Sequence, residues 1–143
     1  MISKKKKIRI NDVEFGGKPV FVAGPCALEC FSLVEEAASF LEDISKKNNI
    51  KIIFKLSYDK ANRTSIDSFR GPGLKKGIDI ISKIKDEYNL PLLIDVHCKY
   101  EVDDISKIAD CIQIPAFLCR QTSLLTEAGK TGLPVNIKKG QFI

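Results

Sequence analysis

Apolar residues along the chain alternate between two spacings. Pro19 to Ala23, Lys51 to Leu56, Leu92 to Val96, Cys111 to Ile114 and Pro134 to Ile137 are short runs, rich in Val and Ile and mostly apolar on both faces. They have the length and composition of covered parallel strands. Between them the spacing widens to three and four. Leu33, Ala37, Leu41 and Ile44 form one stripe, and Leu74, Ile78, Ile81 and Ile84 form a second. Shorter helices are expected over Val102 to Ala109 and near Leu124 to Ala128, ahead of Gly129 and Gly132. Ser32 with Glu35 three residues on predicts a capping box at the start of the first helix.

Strand runs alternating with helical stripes predict βα units on a parallel sheet, and hence an α/β fold. Five strands admit two solutions, an open doubly wound sheet or part of a (β/α)8 barrel, and periodicity does not choose between them. Either solution gathers ligands at the carboxyl ends of the strands. Ahead of the sheet, Ile8-Arg9-Ile10 and Val13-Glu14-Phe15 flank Asn11-Asp12, a pattern that predicts a short capping hairpin. Residues 1–7 read as a basic tail and residues 8–143 as a single domain.

Composition narrows the class. With 143 residues, 44% apolar and 29% charged, the chain can bury one core. No run approaches the roughly 18 to 20 apolar residues that span a bilayer, and the Lys-rich start lacks an apolar signal core. A cytoplasmic protein with no membrane partner is expected. The formal charge of +5 is carried partly by Lys4 to Lys7, but no aromatic residues interleave with that run, so no nucleic-acid partner is expected. The five cysteines, Cys26, Cys30, Cys98, Cys111 and Cys119, show no paired CxxC spacing, which argues for reduced thiols over a disulfide framework or a zinc cage.

Polar chemistry collects where the strands end. After the second strand the chain reads Lys55-Leu56-Ser57-Tyr58-Asp59-Lys60-Ala61-Asn62-Arg63-Thr64-Ser65, which offers point charges, a bidentate fork and hydroxyl donors suited to phosphate. A merely solvated surface loop is the alternative. Lys55 argues against it, because a Lys inside an apolar strand is rarely placed there without an anion to meet. Lys138 ends the fifth strand and Arg120 follows the fourth. If those strand ends are neighbours, they would form with Lys55 and Lys60 a positive pocket for a polyanion. His97, the only histidine, follows Asp95 at the end of the third strand, where a structural or a proton-transfer role is open. Cys26 after the first strand reads as a small buried residue or, alternatively, as a soft thiolate ligand, which favours iron, zinc or a similar ion over magnesium, manganese being the remaining divalent candidate.

Taken together, Gly24-Pro25-Cys26, Lys60-Ala61-Asn62-Arg63-Thr64-Ser65, Phe69-Arg70-Gly71-Pro72-Gly73-Leu74, Asp95-Val96-His97, Gln113-Ile114-Pro115-Ala116-Phe117-Leu118 and Asn136-Ile137-Lys138-Lys139 resemble successive motifs of 3-deoxy-D-manno-octulosonate 8-phosphate (KDO-8-phosphate) synthases, in order and spacing. The resemblance implies a (β/α)8 barrel, of which this chain would hold about the first five strands, and a homotetramer. The reaction it implies condenses phosphoenolpyruvate with arabinose 5-phosphate and water on the way to lipopolysaccharide KDO. By resemblance Lys55, Lys60, Gln113, Ala116 and Lys138 hold phosphoenolpyruvate, and Asn62, Arg63 and Thr64 hold the arabinose phosphate. Phe117 and Arg120 complete the aldose site, while Lys60, Lys138, Asp95 and His97 stand near the reacting atoms. Cys26 resembles the thiolate of the metal-dependent branch, whose other ligands come from later strands that this sequence does not contain.

Two other readings follow from the same residues. A DAHP synthase, using erythrose 4-phosphate, carries Lys-Pro-Arg-Thr where this chain has Lys60-Ala61-Asn62-Arg63-Thr64. A non-catalytic anion-binding module would keep the cationic strand ends without turnover. Expressed alone, the residues would leave strand edges open, an arrangement that invites aggregation or pairing with another chain.

Overall fold

The computed structural model describes residues 7–61 and 65–140. It opens with the expected hairpin, β1 (Arg9–Ile10) against β2 (Val13–Glu14), antiparallel with Ile10 opposite Val13. Asn11 turns the chain at φ 50, a left-handed conformation that Asn tolerates better than most residues. Glu14 draws in Lys7 at 2.6 Å and Arg9 at 3.1 Å, and Asp12 pairs with Lys51 at the foot of the sheet.

Five parallel strands follow: β3 (Val20–Ala23), β4 (Lys51–Leu56), β5 (Leu92–Asp95), β6 (Cys111–Ile114) and β7 (Val135–Ile137). They lie side by side in chain order, β3-β4-β5-β6-β7. That order settles the choice left open by periodicity. A doubly wound sheet reverses its strand order at a switch point, whereas here every crossover steps the same way and the sheet curls into part of a (β/α) barrel.

The helices are α1 (Phe31–Asn48), α2 (Leu74–Glu87), α3 (Val102–Ser106) and α4 (Thr122–Lys130). The α1 start differs from expectation. Cys30 takes the N-cap position with extended backbone, no side chain caps the helix, and the Ser32 hydroxyl lies inside the first turn, 3.3 Å from the Cys30 sulfur. Asn49 ends the helix at φ 50 and donates its N–H to Ser45 O. The third helix stops at Ser106, shorter than its apolar stripe suggested.

Strand alternation sorts the sheet into two faces. Ile52, Phe54, Leu56, Leu92, Ile94 and Ile112 face the helices and are fully or almost fully buried, each contributing roughly 1.5–3 kcal/mol of transfer free energy. On the concave face Ile53, Leu93 and Cys111 pack with Val20 beneath the hairpin residues Ile10 and Val13. The hairpin therefore does cap something, the floor of the curled sheet, with a cavity of about 650 Å³ beside it. The edge strand β3 departs from the fully covered pattern, with Phe21 and Val22 half exposed. Among the described residues no helix is long and apolar enough to cross a membrane.

Candidate active site

One step of two residues beyond the apolar floor, the concave face turns polar. Lys55 follows Ile53 by two, Asp95 follows Leu93 by two, and Gln113 follows Cys111 by two. The strand register sets Asp95 beside Gln113 and Gln113 beside Asn136. A row of hydrogen-bonding side chains thus crosses the carboxyl ends of β4 to β7.

At its centre the Lys55 ammonium donates to Asp95 Oδ1 at 2.9 Å, and the fully buried Ser57 hydroxyl donates to Asp95 Oδ2 at 2.9 Å. The anion that Lys55 meets inside its apolar strand is Asp95. The pairing is incomplete in energy. Burial pushes the Lys55 ammonium below the ordinary lysine range and outweighs the upward pull of the Asp95 charge and hydrogen bond, while Lys60 adds a smaller downward push. A buried cation left undercompensated in this way gains from a second anion.

His97 closes the cluster on the other side. Its side chain is 9% exposed and its Nε2 lies 3.4 Å from Asp95 Oδ2, but the alignment does not make a hydrogen bond, so this buried nitrogen has no partner among the described residues. A buried imidazole nitrogen left without a hydrogen bond is uncommon in folded proteins. In the same row the Asn136 amide donates to Gln113 Oε1 at 2.9 Å. That bond occupies one lone pair of the Gln113 oxygen and leaves its amide N–H donors free for other partners.

Lys60 stands just beyond the end of β4, half-buried and near enough for its charge to act on Lys55. Its position is set by a latch. Arg70 forms a bidentate pair with Asp59, at 2.7 and 2.9 Å, and the Lys60 N–H donates to Arg70 O at 2.6 Å. The guanidinium hydrogen bond holds the Asp59 carboxyl below the usual carboxylate range. Gly71, at φ 112, passes so close that a Cβ would stand 2.5 Å from Tyr58 O. Asn62, Arg63 and Thr64 lie outside the described residues.

The remaining candidates sit at the rim. Ala116 and Phe117 belong to a single 3-10 turn, Ala116–Leu118, with Ala116 half-buried and Phe117 72% exposed. Lys138 extends the ladder through its N–H to Ile114 O at 3.1 Å, but its side chain and that of Arg120 are exposed. No hydrogen bond or ion pair among the described residues ties either cation to the central cluster. Of the three cationic strand ends, those of β6 and β7 are neighbours, whereas β5 stands between them and β4 and brings Asp95 and His97 there.

Cys26 is exposed, which overturns its reading as a small buried residue. It lies two residues after Gly24, whose backbone passes so close to β4 that a Cβ would meet Lys55 O, which places it at the strand end beside Lys55. Among the described residues no three His, Cys, Asp or Glu side chains group as metal donors. One thiol alone does not hold an ion.

Ser57 and Asn136 were missed as site residues although their signal was present. Ser57 continues the concave-face alternation of Ile53 and Lys55, and Asn136 is the polar residue inside the fifth apolar run. Asp59 with Arg70, and Tyr58 with Glu101, carry no such signal, since each pair is made by folding across 11 and 43 residues.

A sequence profile of the DAHP synthetase I family matches residues 2–143. The chain belongs to the DAHP synthetase I family. Among curated relatives, a protein of Fusobacterium nucleatum is 48% identical over 145 positions, covering 100% of this chain and 52% of its own length. One of Koribacter versatilis is 51% identical over 136, covering 94% and 49%. One of Campylobacter jejuni subsp. doylei is 50% identical over 126, covering 88% and 47%. All three are named 2-dehydro-3-deoxyphosphooctonate aldolase, the enzyme whose motifs this family member resembles. The chain spans about half the length of these relatives.

Proposed function

We propose that this chain provides the phosphoenolpyruvate-binding half of an enzyme that condenses phosphoenolpyruvate with arabinose 5-phosphate to give KDO-8-phosphate and phosphate, for lipopolysaccharide synthesis in the cytoplasm. The observation that carries the reading is the polar row at the carboxyl ends of β4 to β6, where an undercompensated Lys55 and an unpartnered His97 Nε2 flank Asp95. It is supported by the shared name of the relatives.

In the reaction, carbon 3 of phosphoenolpyruvate bonds to the aldehyde carbon of the sugar. Water supplies the oxygen that replaces phosphate at carbon 2, and phosphate leaves. The chain's own share is binding and electrostatics. Lys55 and Lys60 neutralise the carboxylate and phosphate of phosphoenolpyruvate, Gln113 donates through its amide, and Ala116 and Lys138 border the pocket. Asp95 and His97 are placed to hold a proton or orient an oxygen near the reacting carbons. Asn62, Arg63 and Thr64 bind the aldose phosphate, with Phe117 and Arg120 at the rim. Cys26 would contribute one donor to a divalent metal, its companions supplied by strands that this sequence does not contain. The assembly is a homotetramer.

The discriminating experiment is turnover with each aldose phosphate by a chain that carries the whole barrel. Product from arabinose 5-phosphate but not erythrose 4-phosphate supports the reading. The reverse preference makes the protein a DAHP synthase, and binding of phosphoenolpyruvate without turnover of either makes it an anion-binding module.

A further inference from the structure

Glu101 stands one residue before α3, outside every motif and cationic strand end described above. Its Oε2 accepts the Tyr58 hydroxyl at 2.7 Å, the Cys98 N–H at 3.2 Å and the His97 N–H at 3.4 Å. A carboxylate suits three converging donors, because both its oxygens only accept. Tyr58 is buried, and its β-carbon is pressed against α2 at Gly77, where a Cβ would approach within 2.5 Å. The Tyr58 ring meets the His97 imidazole edge to face, with centroids 5.4 Å apart and planes at 79°. Burial, together with the Glu101 hydrogen bond and charge, raises the Tyr58 hydroxyl far above the ordinary tyrosine range, so it stays a donor.

His97 is thus held twice, through its backbone by the carboxylate and through its ring by the phenol that the same carboxylate fixes. The atom left over is Nε2, nine-tenths buried, unpartnered among the described residues and 3.4 Å from Asp95 Oδ2. We propose that Glu101 is a positioning residue, which through Tyr58 and the His97–Cys98 backbone holds the imidazole with Nε2 open toward the ligand space beside Asp95 and Lys55. The ligand part rests on the proposed function, and the restraint on His97 does not.

The His97 imidazole gives two carbon–proton NMR correlations, from Cδ2–H and Cε1–H, which are assigned by their loss in His97→Gln and are sensitive to the ring current of Tyr58. Spectra of wild type, Glu101→Gln, Glu101→Ala and Tyr58→Phe are recorded with and without phosphoenolpyruvate, and circular dichroism checks the fold. The expected result is a displaced His97 signal, small in Glu101→Gln and Tyr58→Phe and large in Glu101→Ala, with affinity for phosphoenolpyruvate weakened about tenfold in Glu101→Ala. If Glu101→Ala does not fold, the two near-isosteric variants decide. A His97 signal that coincides with wild type in the folded variants overturns the proposal. Displaced signals in the variants, beside a wild-type signal that ignores phosphoenolpyruvate, support the positioning role and sink the functional reading instead.

Discussion

Lys55 and Asp95, 40 residues apart in sequence, meet at 2.9 Å on the concave face of adjacent strands. The Lys55 side chain is 19% and the Asp95 side chain 7% exposed. Removing one partner of such a pair leaves the other charged and largely dry, at a cost of about 3 kcal/mol. Asp95→Asn and Lys55→Met are each expected to lower unfolding free energy by that order. The double variant should lose less than the sum, a coupling of at least about 1 kcal/mol in a denaturant double-mutant cycle. Strict additivity would show that the pair does not interact.

The same pair predicts a titration. Burial lowers the Lys55 ammonium and Asp95 raises it, so Asp95→Asn should lower it further. Carbon-13 NMR of reductively methylated protein reads this directly, and an unchanged or raised Lys55 value would contradict it. For stability the sign follows from linkage. A lysine whose folded value lies below its unfolded value costs stability at low pH and recovers it as pH rises from the folded to the unfolded value. Lys55→Met should therefore remove an alkaline gain in stability.

Asp59 shows the opposite case. Its folded value lies below the unfolded one, so its contribution is present above the unfolded value near 3.8 and lost as pH falls through the folded value. Asp59→Asn should be less stable than wild type at pH 7, with the difference closing in strong acid. Parallel acid-melting curves for the two would contradict the latch.

Thiol chemistry should follow position. Cys30 is exposed and lowered chiefly by the Ser32 hydroxyl, whereas burial pushes the Cys111 thiol up to about 11. At pH 8 an alkylating reagent should label Cys30 first and Cys111 last, and Ser32→Ala should slow Cys30. Mass spectrometry of time points reads the order, and early labelling of Cys111 would contradict the packed floor.

Gly77→Ala sets two effects against each other. Helix propensity favours Ala by about 1 kcal/mol. The new Cβ would stand 2.5 Å from the Tyr58 Cβ, and overpacking of this kind costs typically 1–3 kcal/mol. Packing should win, with a net loss of stability in denaturant unfolding. A stabilised variant would mean that Tyr58 yields.

Much of the fold was legible because each element carried its own period. The runs at Lys51 and Cys111 were bounded as found, since apolar residues filled both faces of central strands. Boundaries failed where local chemistry had a competitor. The Ser32–Glu35 spacing fitted a capping box with Ser32 as N-cap, but the N-cap is Cys30 and the helix begins two residues earlier, at Phe31, with Ser32 turned to Cys30. The site was legible as a list of strand-end residues, not as an arrangement. The barrel resemblance implied strands in chain order, with β5 between the cationic ends, but nothing in the sequence told that the anion facing Lys55 would be the chain's own Asp95. The Glu101–Tyr58 contact was invisible for the same reason, being made between loops.

The central claim is that this concave row seats phosphoenolpyruvate through Lys55 and Lys60, and calorimetric titration of phosphoenolpyruvate into wild type and Lys60→Ala tests it most directly. A charge-assisted contact is worth about 1.5–3 kcal/mol, so wild type should bind and Lys60→Ala should bind at least tenfold more weakly with the fold unchanged. Equal affinity in the two proteins, or no binding by wild type, would contradict the account.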